Sequence, residues 1–412
     1  MKFNEAILRL PESGVSVKKR VRDFAALYPD RTLIRLDQDL MNMPLPPAVT
    51  EGMKAAAEET GDPFGIRLNS PWSGYDSLKK AIVDHLQKRG VHVMENEVFI
   101  TSGTERANDA LSDLFGAENI VLLCDPVEKK LSLLHQCADR TVSFVRATPE
   151  NAFRPAPDGT AADLIYLASP HPVTGVALDR ETLKKWVDHA NENGSIIFYD
   201  ASLSEYIGGD DLPHSIYEIE GAKNCAIELF SFEKGYGVRE LKIAYVIIPS
   251  TLTRNDTRIG QLFSLHQPFS ETPPSYIMQK AAELLFSPEA REGTEKLIYR
   301  IKKVAKILSD GLTQAGVPHV GGEDSPFLWA QCPHGMSAWQ CFDLLLEKAG
   351  CVVTPGFDFG YGGEHFFRLT AFGMPDEAKL AVEKLARAFE EKGKEPEGET
   401  EETVATRLFE TL

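Results

Sequence analysis

The chain predicts an α/β fold, a mostly parallel sheet covered on both faces, followed by a smaller α+β domain. Three observations carry this. Continuous apolar runs alternate with amphipathic helical stretches through the middle of the 412 residues, the pattern of strands buried on both faces. The runs stop abruptly, at Gly103, at Asp125-Pro126 and at Ser169-Pro170. In the last third, short strands interleave with helices behind one long amphipathic helix, "EKLIYRIKKVAKILSDGLTQAG".

Each element has a local reason. "NEVFITSG" is a short strand, and "TERANDALSDLF" after it reads as a helix. "NIVLLCDP" and "DLIYLASP" are buried strands. "LDRETLKKWVDHANENG" is a helix with Asp179 as its N-cap and Glu181 in the first turn, where the helix dipole favours negative charge. Thr182 at the third helical position leaves the capping box incomplete. Leu183, Trp186, Val187 and Ala190 share one apolar face, and Gly194 ends it. "SIIFYDASL", "CAIELFSF" and Ile243 to Ile248 are further strands, and "PFLWAQCP", "GCVVTPG" and "HFFRLTAF" are the short strands of the last third. Ligands of such sheets sit at the carboxyl ends of the strands, where Ser102, Asp125, Ser169, Asp200 and Ser231 fall.

Composition narrows the function classes. The chain is 43% apolar and 25% charged, ordinary for a globular protein. No apolar run approaches the ~20 residues of a membrane helix, and the start "MKFNEAILRL" lacks a signal-peptide pattern. Six scattered cysteines without metal spacing suit reduced thiols in a cytoplasm. A net charge of −17 speaks against nucleic acid and anionic membrane surfaces as partners. No metal site is expected. From Phe389 onward the chain is rich in Glu, Gly, Pro and Thr and reads as a disordered acidic tail, with "VATRLFETL" either a short docking helix or a frayed end.

One set of residues fits Schiff-base chemistry with pyridoxal 5′-phosphate (PLP). That chemistry needs a lysine, an acid for the pyridine nitrogen, donors for the phosphate and a base, usually the same lysine. Asp200 ends the strand "SIIFYD", and Lys234 follows the next strand, thirty-four residues later. The turn Ser102-Gly103-Thr104 opens a helix, where backbone N–H groups favour an anion. Each residue also has an ordinary reading: a solvated lysine, a turn-forming aspartate, a plain turn.

In order and spacing the chain resembles the fold-type I PLP-dependent aminotransferases (class I/II), and most closely the LL-diaminopimelate aminotransferases, over about residues 15–388. The segments that carry the likeness are "PLPPAVTEGMKAAAEE" (44–59), "SPHPVTGVALDRETLKKWVDHANENGSIIFYDASLSEYI" (169–207), "CAIELFSFEK" (225–234) and "FFRLTAFG" (366–373). The resemblance implies a large PLP-binding domain with a mixed, mostly parallel seven-stranded sheet at 49–290. It implies a small domain at 291–388, joined by the N-terminal segment 1–48, with the acidic tail at 389–412. It also implies a cytoplasmic homodimer that moves an amino group between a diaminopimelate-like amino acid and a 2-oxo acid, in lysine biosynthesis. Lys234 is then the Schiff-base lysine and Asp200 the pyridine partner. Ser102, Gly103, Thr104, Ser231 and Lys242 bind the cofactor, and Arg368 grips the substrate carboxylate, a role that suits its bidentate fork.

The sequence departs from that pattern around the cofactor. The asparagine and tyrosine that share the cofactor's 3′-oxygen fall on Pro172 and Leu203, and the stacking aromatic falls on Glu128. The tyrosine from the partner subunit falls on Asn69, the serine before the lysine is Glu233, and the phosphate arginine is Lys242, with Arg239 nearby. His171 is either a replacement donor or a passive turn residue, and Gly360–Gly363 either a mobile substrate loop or a flexible connection. These replacements predict weakened PLP binding, in the extreme its loss. The alternative function is therefore a degenerate, non-catalytic homologue with a binding or regulatory role. A PLP lyase on the same fold is a third reading.

Overall fold

The computed structural model describes residues 17–39, 44–62, 70–209, 211–238 and 241–394. Asn69, Arg239 and the segment 395–412, including "VATRLFETL", lie outside the described residues. In chain order the strands are β1 (Ile34–Arg35), β2 (Val98–Thr101), β3 (Val121–Asp125), β4 (Val142–Arg146), β5 (Leu164–Ala168), β6 (Ile196–Asp200), β7 (Ala226–Ser231) and β8 (Ala244–Ile247). They continue with β9 (Thr253–Arg254), β10 (Thr257–Arg258), β11 (His319–Gly321), β12 (Phe327–Gln331), β13 (Cys351–Val352), β14 (Thr354–Pro355) and β15 (Phe366–Thr370).

Seven strands form the central sheet in the order β2-β8-β7-β6-β5-β3-β4. β3 to β7 run parallel, and β8 is antiparallel to both neighbours. All residues of β2, β3, β7 and β8 are buried, which explains why these strands read as continuous apolar runs without alternation. The helix Arg180–Asn193 illustrates the local code. Asp179 accepts the Thr182 N–H at 2.8 Å, Gly194 closes the helix in the left-handed region, and Trp186, Leu183, Val187 and Ala190 are fully buried beneath the sheet.

A second sheet, β11-β12-β15-β14, is antiparallel and packs against the long helix Pro288–Gln314 and the terminal helix Pro375–Gly393. The expected strand "GCVVTPG" is in fact two pieces on two sheets. β13 pairs in parallel with β1 from the start of the chain, while β14 pairs with β15. The last helix continues past Phe389, which is buried, to Gly393. The acidic segment therefore begins later than composition suggested, because Ala388 and Phe389 still complete an apolar helical face.

Candidate active site

Four adjacent strand ends build the site. Sheet order sets β7, β6, β5 and β3 side by side, about 4.8 Å apart per step. Their following loops present Lys234, Asp200, His171 with Pro172, and Glu128. These residues line one cavity of about 840 Å³, together with Ser102, Gly103, Thr104, Ser231, Glu233 and Lys242. That is within the usual size of a cofactor pocket. Every predicted cofactor residue thus reaches the same space. Arg368 borders it through Pro172, whose carbonyl accepts a hydrogen bond from Arg368 Nη1 at 2.9 Å.

The strand β7 ends in Ser231, whose Oγ caps the short helix Phe232–Tyr236 by accepting the Lys234 N–H at 3.2 Å. Tyr206 Oη donates to the Lys234 carbonyl at 3.2 Å. Both bonds fix the backbone from which the lysine projects. The Lys234 ammonium is held well above its usual pKa, first by the Glu128 carboxylate and then by Asp200 and Asp39, against the opposing effect of burial. Glu128 is held below the usual carboxylate range by the same charge, Lys234 first. A sequence reading of position 128 as a lost ring partner misses this reciprocal influence of charge.

Asp200 sits at the end of β6, and its Oδ1 accepts the Ser202 N–H at 2.8 Å. It is both a turn former and a cavity residue. His171 Nδ1 accepts the Val173 and Thr174 N–H groups, each at 3.3 Å. Burial lowers its pKa to about 4, so at neutral pH the ring is uncharged and carries its proton on Nε2. The turn role is the one its hydrogen bonds show. Leu203, in contrast, is buried in the apolar core and lines no part of the cavity.

The turn at 102–104 differs from expectation in one detail. The Ser102 N–H is given to Glu271 Oε2 at 3.0 Å, and its hydroxyl to the Thr272 carbonyl at 2.9 Å. Among the described residues, the Gly103 and Thr104 N–H groups are uncommitted. They open the helix Thr104–Ser112, so the anion seat remains, displaced by one residue. Lys242 is exposed at the cavity edge. The Gly360–Gly363 segment is anchored: the Gly362 N–H binds the Asp125 carboxylate at 3.1 Å, and the Val127 N–H binds the Phe359 carbonyl at 2.7 Å.

The residues present fit PLP at three points. An amine, an acid beside it and uncommitted N–H donors at a helix N-terminus share one cavity. The fourth and fifth points of the expected pattern, at Pro172 and Leu203, offer it no donor.

A fold of this kind with a lysine at the end of β7 defines a class, and the comparisons identify it. Residues 37–385 match the model of the family "Aminotransferase class I and II", and the chain belongs to that family. It is a PLP-dependent transaminase. It is 35% identical over 399 residues to an LL-diaminopimelate aminotransferase of Lachnospira eligens, covering 93% of this chain and 99% of that one. It is 33% identical to that of Prochlorococcus marinus, again over 93% and 99%. The solved L,L-diaminopimelate aminotransferase of Chlamydomonas reinhardtii superposes with a TM-score of 0.89 at 27% identity, over 94% of this chain and 99% of the other. Aspartate aminotransferase of Thermus thermophilus shares the fold, with a TM-score of 0.80 at 19% identity and 94% and 100% coverage. Nothing in these likenesses favours the non-catalytic alternative. Among the described residues no helix is long and apolar enough to cross a membrane.

Proposed function

We propose that the protein transfers an amino group between a diaminopimelate-like amino acid and a 2-oxo acid, a step in lysine biosynthesis. The single observation behind this reading is the shared cavity of Lys234, Asp200 and the Gly103-Thr104 turn at adjoining strand ends. The names of its relatives support the substrate. Lys234 carries the cofactor and moves the substrate's α-proton. Asp200 keeps the pyridine nitrogen protonated. Gly103, Thr104, Ser231 and Lys242 hold the phosphate, Ser102 lends its backbone to the same turn, and Arg368 clamps the substrate carboxylate. Bound there, PLP supplies an electron sink for the bond broken at the substrate's α-carbon.

In this reading the chain works as a cytoplasmic homodimer. A large domain at 49–290 holds the cofactor, and a small one at 291–388 joins the N-terminal segment 1–48 and carries Arg368. Lys234 must release its proton to act as a base, and Glu128 opposes that release. The test is the visible spectrum of the protein with excess PLP. A borohydride-reducible band in wild type and none in Lys234→Ala is expected, followed by transamination of diaminopimelate with 2-oxoglutarate. A folded wild type without the band overturns the reading.

A further inference from the structure

Arg368 is the most enclosed cation bordering the cavity. It is 3% exposed on β15, and its guanidinium carbon lies 4.7 and 4.6 Å from the ring centroids of Phe327 and Phe359. In the plane, Nη1 is committed to the Pro172 carbonyl and Nη2 to the Asp39 carboxylate, while Nε has no partner. An arginine has five N–H donors, so part of the fork remains unused.

The two members of the ion pair are unequal. The Asp39 side chain is 56% exposed, and one of its oxygens engages Nη2. Releasing an exposed carboxylate to water costs little. Leaving a buried guanidinium without an acid costs much more. An arginine paired in this way stays compensated at every stage if one carboxylate replaces another.

We infer that Asp39 is a displaceable stand-in for the substrate's carboxylate, competing with it for Arg368 and so setting the affinity of the site. This rests on the reading of Arg368 as the clamp. The exchange leaves the charge at the clamp unchanged. The apparent affinity for an incoming carboxylate falls by the fraction of time for which Arg368 is released, as for any ligand whose competent state is partly populated.

The test is calorimetric titration of the full chain with 2-oxoglutarate. Asp39→Asn and Asp39→Gly are expected to bind it about tenfold more tightly than wild type, the factor for an arginine held by Asp39 nine-tenths of the time. In turnover, KM for the 2-oxo acid falls. Equal or weaker binding in both variants overturns the inference, and so does a large fall in the melting temperature of both, which makes Asp39 a structural partner. Arg368→Ala separates the two readings. If it removes binding while the Asp39 variants match wild type, the clamp stands and the stand-in fails. If it binds as wild type does, the clamp reading fails and this inference falls with it.

Discussion

Lys234 and Arg368 border the same cavity and are compensated in opposite ways. Lys234 feels the charges of Glu128 and Asp200, which come from strand ends of the same sheet. Arg368 meets Asp39, an exposed residue just after β1, outside that sheet. Lys234 and Glu128 belong to one layer, and each shifts the other's pKa. The Arg368–Asp39 pair joins a buried partner to one that solvent can take back. The difference teaches that the effect of an opposite charge depends on which partner is buried: charges enclosed together set protonation states, while a half-exposed ion pair is open to exchange.

The comparison is broken most severely at Gly175. Its φ is +73°, and a Cβ there would fall 2.1 Å from the Phe327 carbonyl oxygen and 3.0 Å from the Gly321 Cα. This is where the loop carrying Pro172 meets β11 and β12. Gly175→Ala is expected to cost about 3 kcal/mol of stability, read by denaturant unfolding. It should weaken carboxylate binding at Arg368 before it alters the titration of Lys234. Movement of both together would show that the two pairs are one unit.

Glu228 sharpens the contrast from the side of an acid governed first by burial. It is buried in β7 with hydrogen bonds from Ser215 Oγ at 2.6 Å and the Ile216 N–H at 3.0 Å, and burial raises its pKa to about 7. The folded state therefore holds this proton more tightly than the unfolded chain, whose carboxyl titrates near 4.5. Its stabilising contribution is complete below about pH 4.5 and is lost as pH rises through about 7. Glu228→Gln is expected to flatten the pH dependence of unfolding by up to about 3 kcal/mol across that window. A wild-type profile with no fall between pH 4.5 and 7.5 attributable to this position would refute it.

The smallest effect concerns Glu128. Glu128→Gln removes the largest influence raising the Lys234 pKa. At a fixed pH below that value, the neutral amine fraction should rise about tenfold. The measurement is the pH dependence of amine labelling at Lys234, read by peptide mass. The Glu128 side chain makes no capping bond to the helix Lys129–Cys137, so a helix-capping role does not predict the shift. An unmoved profile would leave Lys234 governed by Asp200 and Asp39.

The sequence by itself determined the local elements and the order of the strands' ends along the chain. Asp179 caps its helix as its type and position require, and the apolar runs of β3, β5, β6 and β7 are buried as continuous runs must be. Lys234, Asp200 and the 102–104 turn were legible because each ends a strand, and strand ends of a parallel sheet converge on one edge. Only the tertiary structure decided which charges meet. Asp39 and Arg368 are 329 positions apart, and Ser102 gives its N–H to Glu271 across 169. Position 128 looked like a missing ring until its carboxylate was found to act on Lys234. Periodicity and caps are written in a few consecutive residues. Pairings across layers depend on how those layers pack, and no local pattern records that.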